Sequence, residues 1–95
     1  MNIQIQSIHF SANDKLKLFI NKRVDKLIDI DDSILSATVF LKIDKPGSYD
    51  NKIVEIKLHS PNSEYFAKKQ SNSFEESTDL VSQALRKQIL KNKEK

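Results

Sequence analysis

Residues 36–60 read SATVFLKIDKPGSYDNKIVEIKLHS, two alternating runs on either side of the chain's single glycine. In the first run Ala37, Val39, Leu41 and Ile43 alternate with Thr38, Phe40 and Lys42, and in the second Val54, Ile56 and Leu58 alternate with Glu55, Lys57 and His59. A period of two puts each apolar set on one side of an extended strand, which predicts strands over residues 36–44 and 53–60. Pro46-Gly47 lies between them and predicts a hairpin turn within KPGSYDN. A pair of strands with one apolar face must have that face covered. The flanking sequence therefore has to supply the cover.

On the N-terminal side, NIQIQSIHF (residues 2–10) sets Ile3 and Ile5 against Gln4 and Gln6, the pattern of a further strand. Ser11 with Asp14 three residues on reads as an N-cap, opening a helix over residues 12–30. Leu16, Phe19, Ile20, Val24, Leu27 and Ile28 recur at helical spacing as its buried stripe, with Leu18 outside it, and the acidic DIDDS (residues 29–33) ends it. On the C-terminal side, Pro61-Asn62-Ser63 makes a turn into a strand over residues 64–70 whose alternation is less clear. Ser73 and Glu76 form a second capping box, opening a helix over residues 74–92 with Phe74, Val81, Ala84, Leu85 and Ile89 inward. The expected fold class is α+β, in the order β-α-β-β-β-α, with two helices packed on one face of a four-stranded sheet. Strands two to four should form an antiparallel meander; strand one must join the sheet, but periodicity does not name its neighbour.

With 95 residues, 38% of them hydrophobic, the chain can build one modest core, so residues 1–95 are expected to be a single domain with no separate catalytic unit. No apolar run approaches the ~18 residues of a membrane span, the N-terminus lacks the pattern of a secretory leader, and there is no cysteine. A soluble, cytoplasmic protein without disulfides, thiolate nucleophile or thiolate metal site is expected.

Charge is distributed unevenly. The closing stretch ALRKQILKNKEK (residues 84–95) holds Arg86, Lys87, Lys91, Lys93 and Lys95 against Glu94 alone, a net +4 in a chain whose formal net charge is +3. A helix terminus needs only one or two cations to complement its dipole. On a wheel of the first helix, Lys15, Lys22 and Lys26 fall within a band of about 40°, and Arg23 lies between that band and the core. Asp14, Asp25 and Asp29 gather on the far side, so the helix has a cationic ridge about 16 Å long despite its mixed composition. Arg86 and Lys93 fall on one flank of the second helix's apolar stripe, Lys87 and Lys91 on the other. Lys15, Lys22, Arg23, Lys26, Arg86, Lys87, Lys91 and Lys93 are the candidate RNA-contacting residues. Being mostly lysine, they suit backbone phosphates better than base edges. The competing reading is that they serve solubility.

No catalytic, metal or cofactor site is expected. His9 and His59 stand on separate strands with no ligand spacing around them. Glu75 and Glu76 diverge by about 100° and suit a helix's first turn, Asp29, Asp31 and Asp32 lack the layout of a calcium loop, and one glycine cannot cradle a phosphate. Phe40, Tyr49, Tyr65 and Phe66 are the candidates for stacking on a base.

The start NIQIQSIHF, the helix KLKLFINKRVDKL, the strands SATVFLKI and KIVEIKL, then FAKKQSNSFEESTDLV and ALRKQILKNKEK together resemble the ribosome hibernation promoting factor family, also called the ribosome-associated inhibitor family. The resemblance covers nearly the whole chain and rests on order and spacing rather than on one distinctive motif. It implies a non-enzymatic domain, similar in fold to a double-stranded-RNA-binding domain, that lodges in the mRNA and tRNA channel of the small ribosomal subunit. There it would contact 16S-type rRNA and ribosomal proteins and inhibit translation by occlusion in starvation or stationary phase. The family's basic positions match Lys22, Arg23 and Lys26 on the first helix and Arg86, Lys87, Lys91 and Lys93 on the second. The chain looks like the short form, expected to be monomeric when free and without a domain to pair ribosomes. Where many members carry an aromatic residue near the end of the first helix, this sequence reads LIDIDDS. A general double-stranded-RNA binder and a protein-interaction module are the alternatives.

Overall fold

A computed structural model describes residues 2–8, 10–45, 47 and 49–93. Its elements are β1 (Asn2–Ser7), α1 (Asp14–Ile30), β2 (Ser36–Ile43), β3 (Lys52–His59), β4 (Glu64–Ser71) and α2 (Phe74–Lys93). The α+β class and the order expected from the sequence are both observed. The four strands lie in the order β1-β2-β3-β4. β2, β3 and β4 form the antiparallel meander, and β1 pairs in parallel with β2. Parallel neighbours need a crossover, and α1 is that crossover, which brings the helix back over the sheet. The register sets Ile3 beside Ala37 and Ile5 beside Val39.

The apolar face of the sheet is Ala37, Val39, Leu41, Val54, Ile56, Leu58, Tyr65 and Ala67, all buried. Leu16, Ile20, Val24 and Leu27 of α1 and Val81, Leu85 and Ile89 of α2 close over it in one cluster. Both helices meet the sheet along the stripes that their spacing predicts, while Leu18 is exposed. Phe19 and Ile28 are only half-buried, at the edges of the stripe.

Two boundaries differ from expectation by two residues or more. β1 stops at Ser7, because Phe10 leaves the sheet to stack on Phe74 at the start of α2, their ring centroids 5.1 Å apart; His9 lies outside the described residues. α1 begins two residues late, with Asn13 rather than Ser11 as its N-cap: the Asn13 Oδ1 accepts the Leu16 amide at 2.8 Å. Asn and Ser cap equally well, and the later cap leaves Ala12 partly buried against the core. α2 begins as its capping box requires, the Glu76 amide donating to Ser73 Oγ at 3.1 Å. In the β2–β3 connection Gly47 has φ +95°, the left-handed conformation that favours glycine. Pro46 and Ser48, the rest of the expected turn core, lie outside the described residues.

α2 also buries two polar residues that periodicity passes over, Ser77 and Thr78. The Thr78 hydroxyl donates to the Phe74 carbonyl at 2.7 Å. Ser77 Oγ lies 2.7 Å from both the Lys52 carbonyl and Ser71 Oγ, tying the helix's first turns to β3 and β4. Removing a partner from such a buried pairing costs ~1–3 kcal/mol. Ser77→Ala is expected to lower the unfolding free energy by that order, read as a lower urea midpoint with no change in the slope of the transition.

Candidate nucleic-acid interface between the helices

α1 and α2 lie side by side on the sheet, and one face of each forms the wall of the groove between them. From α1 come Arg23, Lys26, Leu27 and Ile30; from α2 come Asp79, Ser82, Gln83 and Arg86. Each set follows the i, i+3, i+4, i+7 spacing of a single helix face. The groove encloses about 210 Å³. Leu27, buried, and Ile30, half-buried, line it with apolar surface, and Lys26 and Arg86 stand exposed on opposite walls. Cations from the two ends of the chain thus face one cleft.

Arg23 is the most constrained of them. Its guanidinium lies 4.7 Å from the centroid of the Phe19 ring. Its Nε is 2.8 Å from Asp79 Oδ1 across the groove. The short distance does not make a good hydrogen bond: the buried Nε–H is not aimed at the carboxylate, which leaves it without a hydrogen-bond partner. The pair is a Coulombic contact between partly exposed groups. Ser82 Oγ, on the α2 wall, is likewise buried and without a partner among the described residues.

The other candidate cations spread outward from this groove. Lys15 and Lys22 are exposed along α1. Lys93 reaches from the end of α2 to donate to the Ile30 carbonyl at 2.6 Å. The last turn of α1 has no basic residue of its own, so Lys93 supplies the cation that the helix's negative end attracts. It also sits near Asp31, whose carboxyl is held below its usual range chiefly by hydrogen bonds from the Ser33 hydroxyl and amide, with Lys93 adding to the effect. Lys87 is exposed. Lys91 lies on the other flank of α2, where it lines a separate hollow with Tyr65, Gln88 and Asn92. Arg86 and Lys93 are therefore the α2 cations nearest α1. Lys95 lies outside the described residues.

The opposite, open face of the sheet has a different electrostatic character. There Lys42 pairs with Glu55 at 2.7 Å, and Lys57 and His59 approach Glu64 at 3.9 and 3.1 Å. Among the aromatic candidates Tyr65 is buried against the helices, which removes it from any stacking surface; Phe66 and Tyr49 are exposed and Phe40 is half-buried. Among the described residues no group of three or more His, Cys, Asp or Glu could hold a metal ion, and no helix is long and apolar enough to cross a membrane.

The family model described as Sigma 54 modulation protein / S30EA ribosomal protein matches residues 3–95. The chain belongs to that family. Membership in the S30EA ribosomal protein family makes it a ribosome-associated, non-catalytic protein with the ribosome as its partner, in line with the hibernation-factor resemblance of its sequence. No curated protein matches the chain by sequence. Among solved structures, a ribosomal subunit interface protein from Coxiella burnetii matches with a TM-score of 0.89 and 24% identity, over 100% of each chain. The Thermus thermophilus Protein Y N-terminal domain matches with a TM-score of 0.81 and 19% identity, over 94% of this chain and 96% of that one. At such identities the likeness establishes the shared fold.

Sequence reasoning did not single out Ile30, Asp79, Ser82 or Gln83. Their signal was present: counting back from Arg86 by three, four and seven residues gives Gln83, Ser82 and Asp79, and counting forward from Arg23 by the same steps gives Lys26, Leu27 and Ile30.

Proposed function

We propose that this S30EA family member lodges in the channel of the small ribosomal subunit where messenger and transfer RNA would lie, and silences idle ribosomes there by occlusion in starvation or stationary phase. It acts in the cytoplasm as one monomeric domain, without a cofactor, against 16S-type rRNA and neighbouring ribosomal proteins. The observation that carries this reading is the groove: Arg23 and Lys26 of α1 and Arg86 of α2 line one cleft, with Lys15 and Lys22 exposed along the adjoining helix. A mainly lysine surface neutralises backbone phosphates and follows the shape of folded RNA rather than its sequence.

Each phosphate contact releases counterions, so five such cations predict a loss of roughly 100- to 500-fold in ribosome affinity between about 50 and 200 mM salt. Sedimentation of a lysate across that range, followed by the same measurement with purified small subunits, checks it. Salt-insensitive binding, or no binding to small subunits at either salt, overturns the reading. Migration with naked duplex RNA instead would make the chain a general double-stranded-RNA binder, and migration with neither would favour a protein-docking role for the sheet face around Phe40 and Lys57.

A further inference from the structure

Asp79 is the one acid in a groove otherwise walled by cations and neutral groups. Its carboxylate stands 2.8 Å from the Arg23 Nε without accepting a well-directed hydrogen bond from it, and the Ser82 hydroxyl beside it is buried and unpartnered. Two buried donor atoms, the Arg23 Nε and the Ser82 hydroxyl, thus belong to residues that line the same cleft, and neither has a hydrogen-bond partner among the described residues. Unused donors of this kind are costly, and an acceptor oxygen of an anion seated between the helices would satisfy them with charge-assisted hydrogen bonds. Lys26 and Arg86 are exposed on either side of that position.

We infer that the interhelical groove is a phosphate subsite in which Asp79 is an internal counter-ion, displaced from Arg23 when an RNA phosphodiester enters. This deepens, and rests on, the proposed ribosome binding. In the free protein Asp79 offsets the positive potential that Arg23 contributes to the groove. On binding, the phosphate takes over Arg23, accepts from Ser82 and draws in Lys26 and Arg86, while the Asp79 carboxylate turns to solvent. The Phe19 ring, against which the guanidinium rests in the free protein, would hold it in place through the exchange. Asp79 therefore sets how readily the protein leaves RNA as well as how tightly it binds.

The test is a mutant cycle on the full chain, with purified small ribosomal subunits as the probe and co-sedimentation as the readout. Asp79→Asn keeps the shape of the side chain and removes its charge; it is expected to tighten binding about tenfold at fixed salt and to steepen the salt dependence by close to one phosphate contact. In an Arg23→Gln background the gain should fall below about twofold, because Asp79 has no partner left to release. Persistence of the tenfold gain without Arg23 would show that Asp79 acts only through overall charge, and would overturn the exchange. Unchanged or weaker binding of a folded Asp79→Asn, with subunit binding itself intact in the parent protein, would overturn the subsite and leave the ribosome reading standing. Absence of small-subunit binding in the parent protein would overturn both.

Discussion

Replacing Lys22, Arg23 and Lys26 together with Glu should abolish co-sedimentation with ribosomes while leaving the circular dichroism spectrum unchanged. Each replacement shifts the charge by two units, so the formal net charge goes from +3 to −3. Lys22 and Lys26 are solvated side chains, and none of the three belongs to the buried cluster. The fold therefore has little to lose, whereas the groove wall changes sign. A hydrogen bond to a charged group contributes about 1.5–3 kcal/mol and about 1.4 kcal/mol is a tenfold change in affinity. Losing three contacts and adding three repulsions within a Debye length of about 10 Å predicts a loss of at least ~10³-fold. The Glu placed at position 23 would face Asp79, so a Lys22→Glu, Lys26→Glu double variant serves as the gentler companion, with the same direction of effect. Retained ribosome binding by a folded triple variant would remove α1 from the interface.

The features legible in the sequence were those set by local periodicity. A repeat of 3.6 or 2 residues identifies which side chains share a face, so the two helical stripes and the inward residues of β2 and β3 follow from the sequence. Periodicity says nothing of neighbours, and so the parallel pairing of β1 with β2 appears only in the folded chain. The start of α1 was ambiguous for a chemical reason: Ser11, Asn13 and Asp14 are all good capping residues, and tertiary packing of Ala12 and Phe10 favours the second. β4 was hard to read because Tyr65 and Phe66 are adjacent and both aromatic, yet one is buried and the other half exposed. At the site, wheels placed the cations on their own helices but could not fix how the two helices are rotated against each other. That rotation sets Asp79 against Arg23 and brings Lys93 to a carbonyl 63 residues away in sequence. Ser77 was passed over because a hydroxyl carries no hydrophobic signal, although its partners on β3 and β4 bury it completely.

Leu85→Ala should lower the unfolding free energy by about 2–5 kcal/mol, the range for emptying a well-packed leucine site. Leu85 is fully buried, between Val81 and Ile89 on the stripe that α2 lays against the sheet. A domain of this size has a total stability of only about 5–15 kcal/mol, so a melting temperature lower by at least ~10 °C is expected in a thermal scan. The consequence for binding differs from that of charge reversal. Arg86 follows Leu85 directly and its position in the groove depends on α2 staying docked. At low temperature, where the variant is still mostly folded, small-subunit binding should be close to that of the parent protein. On warming, binding should disappear together with the helical signal, since the loss of α2 removes one wall of the groove. The triple Glu variant should behave in the opposite way, non-binding at every temperature and melting near the parent. If Leu85→Ala lost binding in the cold with its dichroism intact, the exact packing of α2 rather than the charge it presents would govern affinity, and the electrostatic account of the interface would have to be given up.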